Sequence, residues 1–417
     1  MSSTQSSQAS HVPPRSLRAV EWLNFFLADV QTGLGPFLAA YLASSGWNPA
    51  RVGYVLTFGG LVTVAMQTPA GAIVDSAHRK RLLLACNLGL LVGGALLLAA
   101  GQLNAFSIYS AQLLMGGAAP FLGPTVASMT LGIVGAKAFD SQFGRNQAFN
   151  SAGNVFTALL IVYVSYRFGY RAIFVLAAMM AIPAAFALTS IDPKEIDYSG
   201  ARGLSASRAQ EKADGISALL KDRALVCFFA AVFLFHLSNA AMLPQLGEML
   251  SKDNVKKAAA FMSACVIVTQ LVISISAAWI GKRAAEKGRK PLLMIGFGVL
   301  PIRGVLYTLT HVTTALVAIQ VLDGVANAIF VIVSILVIKD RTQGTGRFNL
   351  AAGALATMVG IGAALSTTVG GALIQHAGYR ASFLSLAAIA VLAMAVLCLG
   401  VPETLPGPGR SLESSYL

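Results

Sequence analysis

Apolar runs long enough to cross a bilayer recur along almost the whole chain, and they restrict its fold more than any other feature. A transmembrane helix needs about 20 predominantly apolar residues. Twelve such runs fall at roughly 19–43, 50–74, 82–101, 104–134, 148–168, 171–190, 224–250, 257–281, 291–311, 315–338, 350–375 and 380–401. With 56% hydrophobic and 11% charged residues, the chain has more apolar surface than a soluble domain can bury. We predict an all-α polytopic membrane protein with twelve transmembrane helices in the lipid bilayer.

The cations lie mainly between the runs, and they predict the orientation. Of the 30 Lys and Arg residues, 22 fall in segments on the side of the N-terminus, seven on the opposite side, and Arg303 inside a run. Because cytoplasmic loops carry the excess of Lys and Arg, both termini are predicted to be cytoplasmic, in a bacterial inner membrane. The net charge of +13 is then topological, and no nucleic-acid partner is predicted.

The chain divides into two similar halves. The long polar segment 191–223 reads as a cytoplasmic linker between bundles of six helices at 19–190 and 224–401, with polar tails at 1–18 and 402–417. Landmarks repeat at offsets of 208 to 210 residues: Pro36 with Pro244, Gln112–Gly116 with Gln320–Gly324, Gly169-Tyr170-Arg171 with Gly378-Tyr379-Arg380, and Gly71 with Gly281. Such parallel repeats are related by an axis along the membrane normal.

The loop between the second and third runs carries a signature. Gly71, Asp75 and the cluster Arg79, Lys80 and Arg81 resemble the loop between helices 2 and 3 of the major facilitator superfamily, although Ser76 and His78 depart from that pattern. The resemblance implies two pseudo-symmetric six-helix bundles and secondary transport.

The same resemblance implies that this loop is a conformational latch. Asp75 is expected to accept hydrogen bonds from an adjacent helix end or from an arginine, with Arg145 as the family-based partner. The second-half loop keeps Gly281, Arg289 and Lys290 but has Ala285 at the aspartate position, which predicts a weaker or different latch.

Polar residues inside the runs are the candidates for a substrate or proton pathway, because an intramembrane charge costs at least about 2.5–3.5 kcal/mol. The first run contains Asn24, Asp29 and Gln31, and the seventh contains His236, Asn239 and Gln245. By resemblance, helices 1, 4, 7 and 10 line the cavity, so Asp29 would meet substrate or a proton. His236 has a suitable unperturbed pKa for carrying protons; either residue could instead be a satisfied packing group.

Arg303 and Asp323 lie at comparable depth on consecutive runs and are predicted to form an ion pair, with Asn327 one turn beyond. Because breaking a buried pair costs about 3–5 kcal/mol, a structural role competes with a role in which Asp323 exchanges Arg303 for a proton or substrate.

Two departures from the superfamily's patterns and several missing enzyme motifs reduce the number of possible functions. Gln112 stands where many proton-coupled members have arginine, and the fifth run lacks the Gly-Pro sequence of drug antiporters. The sequence contains no nucleotide-binding or hydrolase motif and no clustered metal ligands, so no enzyme, catalytic residue, metal or cofactor is predicted.

We predict a monomeric secondary transporter that moves a small organic solute by alternating access, coupled to protons. A gradient-driven facilitator is the alternative. A non-transporting receptor is the alternative from another class, and an intramembrane enzyme is the least favoured.

Overall fold

The computed structural model describes residues 14–32, 49–100, 104–169, 171–202, 221–251 and 255–405, together with positions 38, 41, 42, 45 and 47. Over these residues the secondary structure is helical and contains no strand. The helices are α1 (Pro14–Thr32), α2 (Pro49–Ser76), α3 (Lys80–Ala99), α4 (Ala105–Phe168), α5 (Arg171–Thr189), α6 (Arg223–Asn239), α7 (Met242–Ser251), α8 (Val255–Lys287), α9 (Lys290–Leu306), α10 (Thr313–Thr342) and α11 (Phe348–Gly400).

Glycines with positive φ divide the two longest helices. Gly135 (φ 70°) interrupts α4, and Gly378 (φ 81°, ψ 173°) interrupts α11. Gly169, the repeat partner of Gly378, has almost the same backbone conformation (φ 79°, ψ 176°). Only glycine adopts such angles without steric cost. With α4 and α11 divided and α6 and α7 taken as one interrupted span, the described helices are consistent with twelve spans.

The described helices differ from the predicted runs in three places. Residues 136–147, expected to be a loop, are helical, and two of their three charged side chains, Asp140 and Arg145, pair with residues of distant segments. The seventh run is not continuous, since α6 ends at Asn239 and α7 begins at Met242. The first described helix begins at Pro14, five residues before the predicted span, and the end of that span lies largely outside the described residues.

We call the side of the molecule that carries the α2–α3 loop the basic side. The loop there is only Ala77, His78 and Arg79, as its tight-hairpin pattern predicts. The first described part of the predicted linker packs on the same side: the backbone N–H of Asp197 donates to Gly132 O at 3.0 Å, and Ser128 Oγ donates to Ala201 O at 2.7 Å. Residues 203–220 lie outside the described part of the chain.

Apolar clusters hold the helices of each half together, and the cluster of the second half extends to Phe139 of α4. Leu23, Leu84, Leu122 and Ala184 bring α1, α3, α4 and α5 together in the first half. In the second half, buried side chains of α6, α9, α10 and α11 form the corresponding cluster, including Phe228, Phe297, Val333 and Leu397. The two halves meet mainly through α2 with α11 and α4 with α8, and these contacts position the candidate site.

Candidate functional site

Helices α2 and α11 pack closely enough to require glycine. A Cβ on Gly71 would collide with the backbone carbonyl of Asn349, and Gly353 approaches the α2 backbone in the same way. Thr68 Oγ1 and Thr357 Oγ1 lie 2.9 Å apart at the same contact. Because these positions recur every three or four residues, they share one face of each helix.

Asp75 joins this contact to a helix terminus. Its buried carboxylate accepts from Asn349 N at 3.1 Å, Asn349 Nδ2 at 2.7 Å and Leu350 N at 2.8 Å. The first N–H groups of a helix lack internal partners, and Arg347, the N-cap residue of α11, makes no side-chain cap. Asp75 therefore caps α11 from the other half of the chain, where the helix dipole also favours an anion.

The family-based partner of Asp75, Arg145, is wrong. Arg145 Nη2 instead contacts Glu21 Oε1 at 2.8 Å, and Gln142 Nε2 donates to the same carboxylate oxygen at 3.1 Å. The reason is local: residues 136–147 are helical, so Arg145 projects from α4 toward α1. Of the two expected kinds of partner, the helix end is the one that Asp75 contacts.

The basic cluster after Asp75 does not act as a unit. Lys80 is buried and its Nζ donates to Val74 O at 2.7 Å, at the end of α2. Arg81 Nη2 donates to Thr189 O at 3.3 Å, at the end of α5, whereas Arg79 is exposed. Two of the three cations thus bind the carbonyl end of a helix, where the dipole favours positive charge.

A second close contact joins α4 to α8. A Cβ on Gly281 would lie 2.6 Å from Asp140 O, and one on Gly144 would lie 2.7 Å from Ala277 O. One turn further along, Ser274 Oγ donates to Ala148 O at 3.3 Å. We call the α2–α11 and α4–α8 contacts together the seam.

Arg289 of the second-half loop joins a cluster of four charges at the seam. Arg289 is buried, with Nη2 2.6 Å from Asp140 Oδ2 and Nε 2.9 Å from Asp340 Oδ2. Lys339 also contacts both Asp140 and Asp340. Two cations therefore balance two carboxylates, and Asp140 is the only member that the first half provides. The sequence predicts a weaker or different latch here, and the structure has ion pairs where the first half has a capped helix.

Glu403, which follows the end of α11, makes a further contact on the basic side. Its Oε1 accepts from Arg289 N at 2.8 Å and its Oε2 from Lys290 N at 3.0 Å, so it caps the start of α9. Burial alone would raise the pKa of Glu403, but the backbone N–H groups of Arg289, Leu405, Lys290 and Thr404 outweigh burial and lower it. Thr404 Oγ1 is 3.0 Å from Asp340 Oδ2 and connects this cap to the cluster.

These contacts occupy one side of the molecule. Asp75 and Val64, which meets Gly360, are eleven positions apart on α2, so this contact is about 16.5 Å long at 1.5 Å per residue. The hydrocarbon core is about 30 Å thick. The α4–α8 contact, from Asp140 to Ala148, begins at the same end. The halves are therefore held together over the basic-side part of the bilayer.

In the first half, Asn24 of the predicted pathway lies beside a row of amides. Gln142, Asn146, Asn150 and Asn154 recur every four residues on α4 and so share one face of that helix. Asn150 Nδ2 donates to Asn24 O at 3.2 Å, while Asn24 Nδ2 donates to Val20 O at 2.8 Å. Buried Glu21 stands at the basic-side end of this row. Glu21 is not among the predicted pathway residues, although an acid at the edge of an apolar run is a signal that the sequence contains.

The side chains of Asp29 and Gln31 lie outside the described residues, although the backbone of both belongs to α1. A Cβ on Gly153 would lie 3.0 Å from the Cβ of Ala28, so α1 and α4 remain in close contact at this level. The pathway role of Asp29 and Gln31 stays a prediction.

In the second half, the three predicted residues of the seventh span have separate partners. The His236 ring lies 4.6 Å from that of Phe330, and its Nδ1 is 3.3 Å from Val232 O. Asn239 accepts from Arg303 Nη2. Gln245 is buried in α7, where its Oε1 accepts from Ser382 Oγ of α11 at 3.1 Å. These contacts lie within the second half, and the transport role of the three residues stays a prediction.

Arg303 and Asp323 form the ion pair that their depths predict. Asp323 Oδ2 also accepts from Thr269 Oγ1 at 3.1 Å and Gln320 Nε2 at 3.3 Å, while Asn327 Nδ2 donates to Asp323 O at 3.0 Å. The pair thus joins α8, α9 and α10 inside the second half. Its contacts explain how the charges are stabilised, and any exchange of partners during transport stays a prediction.

The sequence similarities decide the family. The family model described as Major Facilitator Superfamily matches residues 22–300 and, in a second match, 229–415. The chain belongs to the major facilitator superfamily. Two superfamily relatives from Mycobacterium tuberculosis, strains CDC 1551 / Oshkosh and H37Rv, are each 41% identical over 408 residues, covering 96% of both chains; both are described as uncharacterized MFS-type transporters.

The solved structures agree on the fold. The crystal structure of the human organic anion transporter MFSD10 (TETRAN) matches with a TM-score of 0.68, covering 92% of this chain and 100% of that one at 16% identity. This superfamily member is therefore an all-α, multi-pass membrane protein, and its family is one of transporters rather than enzymes. Within the described residues, no group of three His, Cys, Asp or Glu side chains could hold a metal ion.

Proposed function

We propose that this superfamily member is a secondary transporter that moves a small organic solute by alternating access and couples that movement to protons. The observation that carries the proposal is the seam, because among the described residues it holds the two halves together on the basic side of the membrane as far as about its middle. A central site above the seam would be open to the opposite side.

Opening the basic side requires the seam contacts to separate. Asp75 would leave the N-terminus of α11, and Asp140 would leave Arg289 and Lys339. The cations would keep Asp340 as a partner, so the second half would not be left with two unpaired charges. A solute or proton can shift this equilibrium only by the difference in its affinity for the two states.

The proton role rests on the scarcity of intramembrane acids. Asp29 is the expected carrier, with His236 as a second candidate, and the amide row from Gln142 to Asn154 contacts the same helix at Glu21 and Asn24. Since each such charge is costly in a bilayer, an acid within α1 favours a function beyond packing. Arg303 and Asp323 are the competing site in the second half.

The solute is proposed to be modest in size and partly apolar, because amides and hydroxyls outnumber charges among the pathway candidates. MFSD10 is an organic anion transporter, but its low identity supports only the shared fold. A thermal-shift screen of metabolites, drugs and metal chelates, with organic anions included, would identify a ligand, since binding to the folded state raises apparent stability.

The decisive experiment is flux in proteoliposomes with an imposed pH gradient. We expect the ligand from the screen to accumulate with the gradient, and Asp29→Asn to abolish accumulation while keeping exchange of solute across the membrane. The matched control is Gln31→Glu, which adds a carboxylate two residues from position 29. It tests whether the position of the carboxylate in α1 matters.

Other outcomes select the alternatives. Flux that is indifferent to the gradient, or full coupling in Asp29→Asn, would leave a gradient-driven facilitator. A ligand that stabilises the protein without any flux would indicate a receptor.

We further propose that the halves 19–190 and 224–401, joined by the linker 191–223, move as units in a monomer with both termini cytoplasmic. Labelling of single cysteines with an impermeant maleimide tests the orientation. Cysteines at Ser2 and Ser414 in right-side-out vesicles should remain unlabelled until the membrane is permeabilised.

A further inference from the structure

A groove of about 920 Å³ lies outside the bundle, between α1 and α5. Its walls are Trp22 and Phe26 from α1 and Ile182 and Phe186 from α5, and Ala19 is among the small residues that line it. The opposite faces of the same two helices pack into the core of the first half. The groove is therefore a gap between packed helices on their outer side.

The groove faces the surroundings of the protein rather than its interior. Trp22 is 48% exposed, Ile182 65% and Phe186 76%. In a multi-pass membrane protein, exposed apolar side chains of this size face lipid chains. Trp is also enriched at the membrane–water interface, which agrees with the position of Trp22 about two turns inside the basic-side end of α1.

Two cations stand at the mouth of the groove. Arg15 and Arg18 are exposed and lie three residues apart, so they project from the same side of α1 one turn apart. In the part of the chain that the structure describes, neither forms an ion pair. Other cations on the basic side have carboxylate partners, such as Arg145 with Glu21 and Arg341 with Asp222.

We propose that this groove binds one anionic phospholipid, whose headgroup phosphate pairs with Arg15 and Arg18 and whose acyl chain lies against Trp22 and Phe186. The complementarity is of two kinds: unpaired guanidinium groups at headgroup level and an apolar channel directly below them. Arginine suits the headgroup because its planar N–H donors match phosphate oxygens in pairs. The site is independent of the solute and of proton coupling.

The expected selectivity follows from the charges. Each cation near an anionic surface favours binding by roughly fivefold, so two should favour an anionic over a zwitterionic lipid by about 10- to 30-fold. The apolar part of the groove should accept either lipid chain equally. The headgroup preference is therefore the measurable signature.

The three tryptophans permit a local test. In a variant that keeps only Trp22 (Trp47→Phe and Trp279→Phe), fluorescence is followed in phosphatidylcholine vesicles that contain increasing fractions of brominated phosphatidylglycerol or brominated phosphatidylcholine. We expect half-maximal quenching by the brominated phosphatidylglycerol at an approximately tenfold lower mole fraction. Arg15→Gln with Arg18→Gln should remove this preference, and Arg15→Lys with Arg18→Lys should restore most of it.

The matched control keeps only Trp279, which is 57% exposed on α8. Its neighbouring cations, Lys282 and Arg283, are already paired with Glu286 at 3.9 and 3.6 Å. Trp279 should be quenched equally by both lipids, and this signal also reports whether the arginine variants remain folded.

Three results would overturn the proposal. Equal quenching of Trp22 by both lipids would show that the groove does not select an anionic headgroup. Absence of Trp22 quenching by either brominated lipid would show that another part of the protein covers the groove. A preference that survives the double glutamine variant would place the anionic selectivity elsewhere.

Discussion

At the scale of single residues, Asp75 shows how one carboxylate can connect two halves of a chain. Asn349 and Leu350 have backbone N–H groups that the α11 helix cannot satisfy, and Asp75 is the acceptor that reaches them. Hydrogen bonds to a charged group contribute about 1.5–3 kcal/mol each. The cap exists only while α2 and α11 are in contact. Its hydrogen bonds therefore stabilise the state in which the basic side is closed.

Asp75→Asn should therefore shift the protein toward opening of the basic side. The amide keeps the shape but loses the charge, and we expect a shift of about 2 kcal/mol, or roughly 30-fold in the equilibrium. The measurement is the rate at which a maleimide labels a cysteine at Thr357, in a background whose four native cysteines are replaced. Ser76→Asn, on the exposed neighbour, should leave the rate unchanged; an unchanged rate in Asp75→Asn would show that the cap does not hold the seam.

Glu403 gives a prediction for pH. Its pKa is lowered in the folded protein by backbone donors, so its contribution to stability is fully present above the unfolded pKa of about 4.3. The contribution is lost as the pH falls through the lower folded pKa. We expect Glu403→Gln to lower the melting temperature in detergent at pH 7, and the difference from wild type to shrink below about pH 4.

Glu286→Gln is the control for this titration, because Glu286 is exposed and pairs only with cations of its own helix. Its effect on the melting temperature should be small at every pH. A Glu403→Gln difference that stays constant between pH 7 and pH 3.5 would contradict the assigned direction of the pKa.

The sequence predicts some of these contacts and not others, for physical reasons. Arg303 and Asp323 could be paired because each is an isolated charge inside an apolar run, and depth alone brings them together. Arg145 was assigned to Asp75 from family resemblance, but its direction depends on the helical phase of residues 136–147. Glu403 follows the last span, and nothing local reveals that its partner is the start of α9.

At the scale of helices, the seam depends on residues without side chains. Gly71, Gly144, Gly281 and Gly353 lie where a neighbouring helix backbone occupies the space of a Cβ. Small residues permit such close approach between membrane helices, where packing rather than the hydrophobic effect drives association. These glycines also occupy equivalent positions in the two halves: Gly71 on α2 corresponds to Gly281 on α8.

Gly71→Ala should separate α2 from α11. The added methyl group would meet the Asn349 carbonyl, and overpacking of this kind costs about 1–3 kcal/mol. Because the contact is part of the closed state, we expect faster labelling of the Thr357 cysteine rather than general unfolding. Gly60→Ala on the same helix is the matched control, since a Cβ there meets nothing within 4 Å. Equal labelling in the two alanine variants would show that Gly71 does not limit the approach.

Helix order and number follow from hydropathy, whereas helix breaks do not. The described helices are consistent with the twelve apolar runs, because bilayer thickness sets the length of a span. The stretch after Gly135 looks like a loop because it holds Lys137, Asp140 and Arg145. Asp140 and Arg145 have partners in α1, in α10 and at the start of α9, which are distant in sequence, and Lys137 is exposed on the helix that continues there.

At the scale of the whole molecule, the two halves repeat in geometry but not in chemistry. Gly169 and Gly378 keep the same backbone conformation at equivalent positions. The seam is symmetric in its glycines, yet one arm ends in a carboxylate at a helix terminus and the other in a four-charge cluster. Both arms span the two halves, so a rocking motion must break them together.

This coupling predicts how Asp75→Asn and Asp140→Asn combine. Each variant weakens one arm of the seam, and no contact between the two carboxylates is present in the described part of the chain. For such separate sites, free-energy changes usually add within about 0.3–0.5 kcal/mol. If both arms oppose one rigid-body motion, the labelling rate of the Thr357 cysteine in the double variant should increase by the product of the single-variant factors. If the arms open independently, Asp140→Asn should leave labelling at Thr357 unchanged while exposing a cysteine at Ser274 on the α4–α8 contact.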